Sequence, residues 1–231
     1  MNKAIPAICL SFFLCACASQ NKTASMHGLT PTQAQDMSSQ NAKITEAKAP
    51  DVTANTRFAA GQLAESQGNL DAAMHQYNVA LEKDPKHLPS LFRIGVIFAE
   101  LKQYNKSFEI WARYAVASNY APEYYGNLGY CYELAGQPTK AEATYLKGIE
   151  KYSNNASCRT NYGLMLARKH RIQEAIRMWT PVLTDAEIHY NLGSIYDMDG
   201  RKEEAKVEYQ KALDSDPDMI DARARLSETS N

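Results

Sequence analysis

The sequence lacks a strong charge of either sign. Its 25 lysine and arginine residues nearly balance its 26 aspartate and glutamate residues, so the formal net charge is −1. A nearly neutral chain has little overall attraction for phosphate backbones, and the composition therefore gives no indication of nucleic-acid binding. Hydrophobic residues make up 45% of the chain, which suits a globular helical protein.

Recognisable catalytic patterns are also missing. The five histidines have no metal-ligand spacing, and there is no glycine-rich phosphate loop and no Gly-x-Ser-x-Gly nucleophile turn. Residues distant in sequence can still meet in a fold, so spatial triads remain open. The sequence predicts a protein that is not an enzyme and has no catalytic residue, cofactor, metal or small-molecule substrate.

No long apolar run is present at the N-terminus. Residues 5–14 are apolar but shorter than the roughly 20 residues that span a bilayer. With Lys3 before them they resemble a secretory signal, and residues 14–17 (Leu-Cys-Ala-Cys) resemble a bacterial lipobox. The resemblance implies a lipoprotein signal peptide at residues 1–17 and acylation, for example by palmitate, at Cys17. Ordinary signal cleavage, which would release a soluble product, is the alternative.

The resemblance to lipoproteins also implies a location. Several acyl chains hold a protein firmly on a membrane, so we expect a lipid-anchored protein of the bacterial cell envelope. Ala18 rather than aspartate follows Cys17, which by analogy with enteric lipoproteins favours the periplasmic side of the outer membrane in a Gram-negative cell. Residues 18–52 are polar and contain no aromatic residue, which predicts a flexible linker.

The remainder of the chain repeats with a period of 34 residues. Four glycines follow one another at this spacing, and a fifth follows after 30 residues. An alanine or serine stands 12 residues after each glycine, and an aromatic residue stands four positions further on. We expect the small residues to let two helices approach and the aromatic residue to fill the space between that hairpin and its neighbour. The predicted packing residues are Gly61, Gly95, Gly129, Gly163, Gly193, Tyr77, Trp111, Tyr145, Trp179 and Tyr209.

This period and pattern resemble the tetratricopeptide repeat (TPR). The resemblance implies an all-α fold, a right-handed α-solenoid of five TPR helical hairpins over residues 53–219 with a C-terminal capping helix at 220–231. The five repeats are predicted at residues 54–87, 88–121, 122–155, 156–185 and 186–219.

Two repeats depart from the pattern. Repeat two has no turn glycine and is predicted to turn at Lys102-Gln103. In repeat four, Pro181 should end the second helix near Thr180 because proline has no N–H to donate. Thr184 or Asp185 is expected to cap the next helix. Repeat four is also four residues short, which predicts a local change in superhelical geometry.

Only two cysteines follow the lipobox, Cys131 and Cys158. The repeat phase places them on the first helices of adjacent repeats, about seven helical positions apart. At 1.5 Å per residue this offset is roughly 10 Å, which is too far for a disulfide bond. The sequence therefore predicts two buried free thiols.

In TPR proteins the first helices line a concave groove that holds an extended peptide or a partner's helix. The resemblance places Asn127, Asn161 and Asn191 at one equivalent groove site, which Arg93 occupies in repeat two. A row of amides can bind a peptide backbone; the alternative is that asparagine is merely common at this site in the family. The other predicted groove residues are Phe92, Tyr130, Leu134, Leu164, Arg168, Tyr190 and Met198.

Two further features bear on the partner. Residues 168–171 form a basic run that is either a solvated loop or a site for acidic headgroups or an acidic partner. The lysines with which chaperone-binding TPR proteins clamp an acidic C-terminal tail are absent, since Phe58, Phe92, Gly126, Thr160 and Tyr190 occupy the first clamp site.

The layout of signal, linker and repeats predicts a membrane-anchored protein–protein interaction scaffold that binds protein partners of the envelope. It broadly resembles lipoproteins that help to assemble type IV or tight-adherence pili. The alternatives are a soluble exported holdase or peptide-binding protein, and a cell-wall glycan-binding accessory module.

Overall fold

The computed structural model describes residues 52–229. The predicted signal peptide (1–17), the predicted acylation site Cys17 and the predicted linker (18–52), except for its last residue, lie outside the described residues. Over 52–229 the chain forms eleven helices and no strand, which confirms the all-α prediction. Within the same range no helix has both the length and the apolar character needed to cross a bilayer.

Ten helices form five hairpins in which a helix A is followed by a helix B. The A helices are α1 (Ala54–Ser66), α3 (Leu88–Glu100), α5 (Pro122–Leu134), α7 (Ala156–Arg168) and α9 (Asp185–Met198). The B helices are α2 (Leu70–Lys83), α4 (Tyr104–Ala117), α6 (Pro138–Lys151), α8 (Ile172–Trp179) and α10 (Lys202–Ser215). Helix α11 (Ile220–Thr229) packs against α10. The fold is therefore the predicted α-solenoid of five hairpins with a capping helix.

The helices begin where the sequence supplies a capping side chain. Thr53, Asn69 and Asn155 each accept a hydrogen bond from a backbone N–H three residues later, at 3.2, 3.0 and 3.0 Å. Such caps satisfy backbone donors that have no partner within the helix. Helix α9 begins with a complete capping box between Thr184 and Glu187, so the prediction that Thr184 or Asp185 caps this helix is confirmed for Thr184.

The aromatic residue of each helix B lies on the glycine of its own helix A. A Cβ atom added to Gly129 would be 2.3 Å from the ring of Tyr145, and one added to Gly163 would be 2.2 Å from the ring of Trp179. Only glycine allows this approach. We had expected these rings to fill the space between neighbouring hairpins. In the structure each ring instead packs on the glycine of its own hairpin. Tyr145 also contacts Tyr162 of the next repeat, with ring centroids 6.1 Å apart.

Repeat four contains the shortest of the five B helices. Helix α8 has eight residues, whereas each of the other B helices has 14. It ends at Trp179 with Thr180 as the C-cap residue, so the prediction from Pro181 is confirmed. The predicted change in superhelical geometry stays a prediction.

Both described cysteines are free and buried, as predicted. Cys131 belongs to a core cluster built mainly from repeats one and two, and Cys158 to a second cluster built from repeats three to five. Burial raises the pKa of Cys158 to about 12. Because the thiolate is the reactive form of cysteine, this thiol is expected to be inert.

The A helices of repeats three to five pack on one another as a layer. Helices α5 and α7 pack directly on each other, most closely at Gly126, where an added Cβ would be 1.9 Å from Ser157 Oγ. Each helix A also packs on its own helix B, so the B helices cover one side of this layer. We call the exposed side of the A helices the groove face, because it carries the residues predicted to bind a partner.

Candidate functional site

The predicted binding residues differ in accessibility. Tyr130 and Met198 are 40% and 46% exposed, and the side chain of Arg168 is 38% exposed. These three residues are the most accessible part of the predicted set. Four others are half-buried, namely Asn127, Asn161, Tyr190 and Asn191.

Three predicted groove residues contribute mainly to packing. Phe92 and Leu134 pack against the first core cluster, and Leu164 packs against the second. The ring of Phe92 meets Trp111 edge to face, with centroids 5.7 Å apart. These side chains therefore support the groove face from below and offer a partner only part of their surface.

Arg93 is held by a carboxylate of the preceding repeat. Its Nε donates to Glu65 Oε2 at 3.2 Å, and the pair also forms a salt bridge through Nη2. The Tyr77 hydroxyl donates to the same carboxylate at 2.6 Å. Burial and the bond to Glu65 raise the pKa of Tyr77 well above its usual range. Glu65 thus joins the two helices of repeat one to helix A of repeat two.

The same arrangement recurs two repeats later. The Tyr145 hydroxyl donates to Glu133 Oε1 at 2.7 Å, and Arg168 Nη2 lies 2.5 Å from Glu133 Oε2. Arg93 and Arg168 were predicted as groove residues, but the role of Glu65 was not predicted. The sequence position of Glu65 could have indicated this role, because Glu65 and Glu133 each stand four residues after a repeat glycine.

The repeats alternate at three linked positions. Repeats one, three and five have a tyrosine on helix B, an acid four residues after the helix A glycine, and glycine at the turn. Repeats two and four have a tryptophan, a buried alanine and a turn without glycine. The odd-repeat residues are Tyr77, Tyr145, Tyr209, Glu65, Glu133, Asp197, Gly68, Gly136 and Gly200; the even-repeat residues are Trp111, Trp179, Ala99, Ala167, Lys102 and His170.

Tyr130 lies among charged side chains of both signs on the groove face. Burial raises the pKa of its phenol, Arg168 opposes the rise, and Glu133 and Glu100 add to it. One exposed phenol therefore has charges of both signs around it. A tyrosine in such a place offers an apolar ring for contact and a neutral hydroxyl for hydrogen bonding.

The predicted amide row is partly engaged by the protein itself. Asn127 Nδ2 donates to the Glu123 carbonyl oxygen, one turn earlier in the same helix, at 2.7 Å. Arg93, at the equivalent site in repeat two, is committed to Glu65. The row therefore offers a partner fewer donors than the sequence pattern implied.

The basic run at 168–171 is largely paired with acids. Arg168 binds Glu133, Arg171 lies 2.6 Å from Glu174, and His170 Nδ1 lies 3.7 Å from Asp199. These contacts favour the interpretation of this run as a structured turn over that of a site for an acidic partner.

A second surface feature lies where repeats three and four meet. Lys151 Nζ is 5.2 to 5.9 Å from the ring centroids of Tyr120, Tyr125 and Tyr152, a distance at which cation–π attraction operates. Beside it is an open cleft of about 510 Å³. The cleft is lined by Pro122, Glu123, Tyr152, Ser153, Asn154, Asn155, Ala156 and Ser157. Across residues 52–229, no three His, Cys, Asp or Glu side chains converge in a way that would hold a metal ion.

The stacked hairpins, with accessible residues on the exposed side of the A helices, form an α-solenoid of the class that supports protein–protein interaction. Family models described as tetratricopeptide repeat match residues 58–122, 122–154 and 186–219. The chain belongs to the tetratricopeptide repeat family, whose repeats are typically non-catalytic interaction modules.

Known proteins resemble the chain in fold and repeat pattern. The general transcriptional corepressor ssn6 of Schizosaccharomyces pombe is 22% identical over 200 residues, which are 87% of this chain and 16% of that protein. The chain thus spans a small fraction of this curated relative.

Two solved structures share the fold. The thermophilic TPR protein TTC0263 of Thermus thermophilus has a TM-score of 0.60 and 21% identity, covering 77% of this chain and 99% of that one. The pilF protein of Pseudomonas aeruginosa has a TM-score of 0.54 and 16% identity, covering 85% and 93%. At these identities the likeness concerns the fold alone.

Proposed function

We propose that this protein is a non-catalytic scaffold, anchored to the bacterial envelope by a lipid on Cys17, that captures protein partners on its groove face. The observation that carries the proposal is the pairing of accessible anchors with a rigid support. Tyr130 and Met198 are exposed on the groove face, and beside Tyr130 the side chains of Arg168 and Glu133 are held by their mutual ion pair and by the Tyr145 hydroxyl. A preordered surface loses little side-chain entropy when it binds.

The anchor and the location are supported by the sequence layout. A lipobox-like segment ending at Cys17 precedes a polar stretch and then the repeats. Envelope proteins that assemble pili or secretion systems share this layout. We therefore propose the periplasmic side of the outer membrane as the location and pilus or secretion assembly as the process.

Photo-crosslinking in the native cell tests the binding proposal. A photoreactive amino acid at position 130 or 161, followed by mass spectrometry, should recover a defined set of pilus, secretion or outer-membrane proteins. The matched control carries the same amino acid at position 146, an exposed leucine of helix B. A diffuse set of exported proteins from 130 and 161 would favour a holdase. No crosslinked protein from a folded variant would contradict the groove face as the working surface.

Substitution separates binding from folding. Tyr130→Ala with Asn161→Ala should weaken partner capture and leave thermal unfolding nearly unchanged, because the first is exposed and the second half-buried. Gly129→Leu should do the reverse, since even a Cβ at this position collides with Tyr145. A steep loss of stability in the alanine variant would show that these residues support the fold.

The lipid anchor is tested independently. Globomycin, which blocks lipoprotein signal processing, should cause the precursor to accumulate, and Cys17→Ser should release the protein from the membrane fraction. A precursor that ignores the drug, together with a soluble mature protein, would overturn the anchoring proposal.

Glycan binding is the second candidate, and one observation favours it. The cleft at the junction of repeats three and four combines the ring of Tyr152 with the polar side chains of Asn154, Asn155 and Ser157. Aromatic rings beside amides and hydroxyls suit sugars, which present apolar faces and hydroxyl groups. Retention on purified cell-wall glycan that is lost in Asn154→Ala would support this candidate.

A further inference from the structure

On the described A helices, acids without an ion pair outnumber arginines without one, which are Arg57 and Arg159; these donate to Gln76 and to the Ser153 carbonyl oxygen. Arg93 and Arg168 are each neutralised by a carboxylate, Glu65 and Glu133 respectively. By contrast, Glu100, Glu123 and Asp197 are on the A helices and form no ion pair among the described residues. Glu100 and Glu123 are exposed, and Asp197 is half-buried.

The central carboxylates lie close to the exposed aromatic anchor. Glu100 is the exposed last residue of α3, and it is close enough to Arg93 and Tyr130 to act electrostatically on both. Tyr130 is 40% exposed, and Glu133 follows it by one helical turn. Glu133 is paired with Arg168, so an apolar contact and one carboxylate without an ion pair, that of Glu100, are presented together.

From this distribution we infer that the groove face binds a cationic, extended segment of a protein partner, with an apolar side chain against Tyr130 and a basic side chain near Glu100. This inference rests on the proposed function and gives the partner a chemical class. Complementary charge directs a partner's approach and selects against partners of the wrong sign. An acidic segment would bring like charges together at Glu100 and Glu123.

Fluorescence anisotropy with the purified full-length chain tests the inference. The probe is a labelled twelve-residue peptide that alternates lysine with leucine. One matched peptide has glutamate in place of lysine, and another has serine in place of leucine. The lysine–leucine peptide should bind about tenfold more tightly than either, and rising salt should weaken it because the contact is electrostatic.

Matched variants locate the binding site. Glu100→Gln should weaken the lysine–leucine peptide about two- to fivefold, as expected for an exposed ion pair. Glu109→Gln, an exposed acid on helix B of the same repeat, should leave binding unchanged. Likewise Tyr130→Ala should weaken binding and Leu146→Ala should not.

Three outcomes would overturn the inference. They are equal or tighter binding of the glutamate peptide, equal effects of Glu100→Gln and Glu109→Gln, and a concentration-dependent dimer that Glu100→Gln abolishes, which would identify the occupant as a second copy. Should crosslinking from position 130 still recover defined partners, the scaffold proposal would survive this failure. If both experiments fail, the proposed function fails as well.

Discussion

Repeats one and three differ from repeats two and four in the hydrogen bonding of the aromatic residue of helix B. The buried phenols of Tyr77 and Tyr145 donate to Glu65 and Glu133, because a buried hydroxyl requires an acceptor. The tryptophans need no carboxylate, and Ala99 and Ala167 occupy the equivalent position. Repeats one and three therefore carry a partly buried acid at this position, and repeats two and four do not.

The even repeats supply the matching cations. Arg93 is on repeat two and binds the acid of repeat one, while Arg168 is on repeat four and binds the acid of repeat three. The electrostatic unit of this solenoid is thus a pair of repeats. Repeat five has no such successor, and its Tyr209 hydroxyl instead meets Ser194 Oγ at 3.5 Å.

The largest difference is expected between Glu65 and Glu133 in their contributions to the free energy of unfolding. Arg93 is 11% exposed and Arg168 is 38% exposed. Glu65→Ala removes both the carboxylate that pairs with the largely buried Arg93 and the acceptor of the Tyr77 hydroxyl, so we expect a loss of about 3–5 kcal/mol. Glu133→Ala should cost less, about 2–3 kcal/mol, because Arg168 can turn to water and only the buried Tyr145 hydroxyl is left without its acceptor. Chemical denaturation followed by circular dichroism measures both. Equal losses would show that burial of the arginine does not decide the cost.

Alkaline pH should weaken the fold, in part through Tyr145 of repeat three. Burial and Glu133 raise the pKa of Tyr145 far above its usual range, so the unfolded chain ionises first. The stability from this neutral phenol is complete below pH 10 and is lost as pH rises further, by about 1.4 kcal/mol at pH 11. Tyr145→Phe should flatten the decline in unfolding free energy between pH 10 and 11. Trp179→Phe serves as the control, and an identical slope in both variants would count against the prediction.

The two tryptophans test whether the even repeats are alike. Trp179 Nε1 donates to the Thr160 carbonyl oxygen at 3.1 Å, whereas Trp111 Nε1 is buried without a hydrogen-bond partner in the structure. Both phenylalanine variants lose similar volume, but only Trp179→Phe loses a hydrogen bond. We expect it to cost about 1 kcal/mol more than Trp111→Phe. A larger loss of stability in Trp111→Phe would contradict the conclusion that only Trp179 donates a hydrogen bond.

The turn residues should give the smallest effect. Lys102 and His170 adopt positive φ angles of 58° and 59°, in the region that Gly136 occupies at 69°. A side chain there costs about 1–2 kcal/mol, and glycine's freedom in the unfolded chain offsets about 0.4–1 kcal/mol. Lys102→Gly and His170→Gly should therefore stabilise the fold by about 0.5–1 kcal/mol, and Gly136→Ala should destabilise it similarly. Thermal unfolding measures the stability of the three variants. The prediction is wrong if both glycine variants are less stable than the unchanged protein.

Most of the fold was predictable because its signals are local. The glycine spacing located the hairpins, and Pro181 gave the end of α8 to within a residue. The seat of the aromatic rings was not predicted correctly, because the repeat pattern places glycine and aromatic residue in one unit without fixing the direction of the ring. The candidate site was predicted less well: the repeat phase placed Tyr130 and Arg168 on the groove face but did not separate them from Leu134 and Leu164, which support the core.

The sequence by itself determined the class of fold, the number of hairpins and the face on which the A helices display their side chains. These depend on helical periodicity and on turns, which act over a few residues. Only the tertiary structure decided that Glu65 meets Arg93, 28 residues away, and that Glu100 stays without an ion pair. Such contacts depend on the stacking of one repeat on the next, and that stacking sets which charges are neutralised and which remain for a partner.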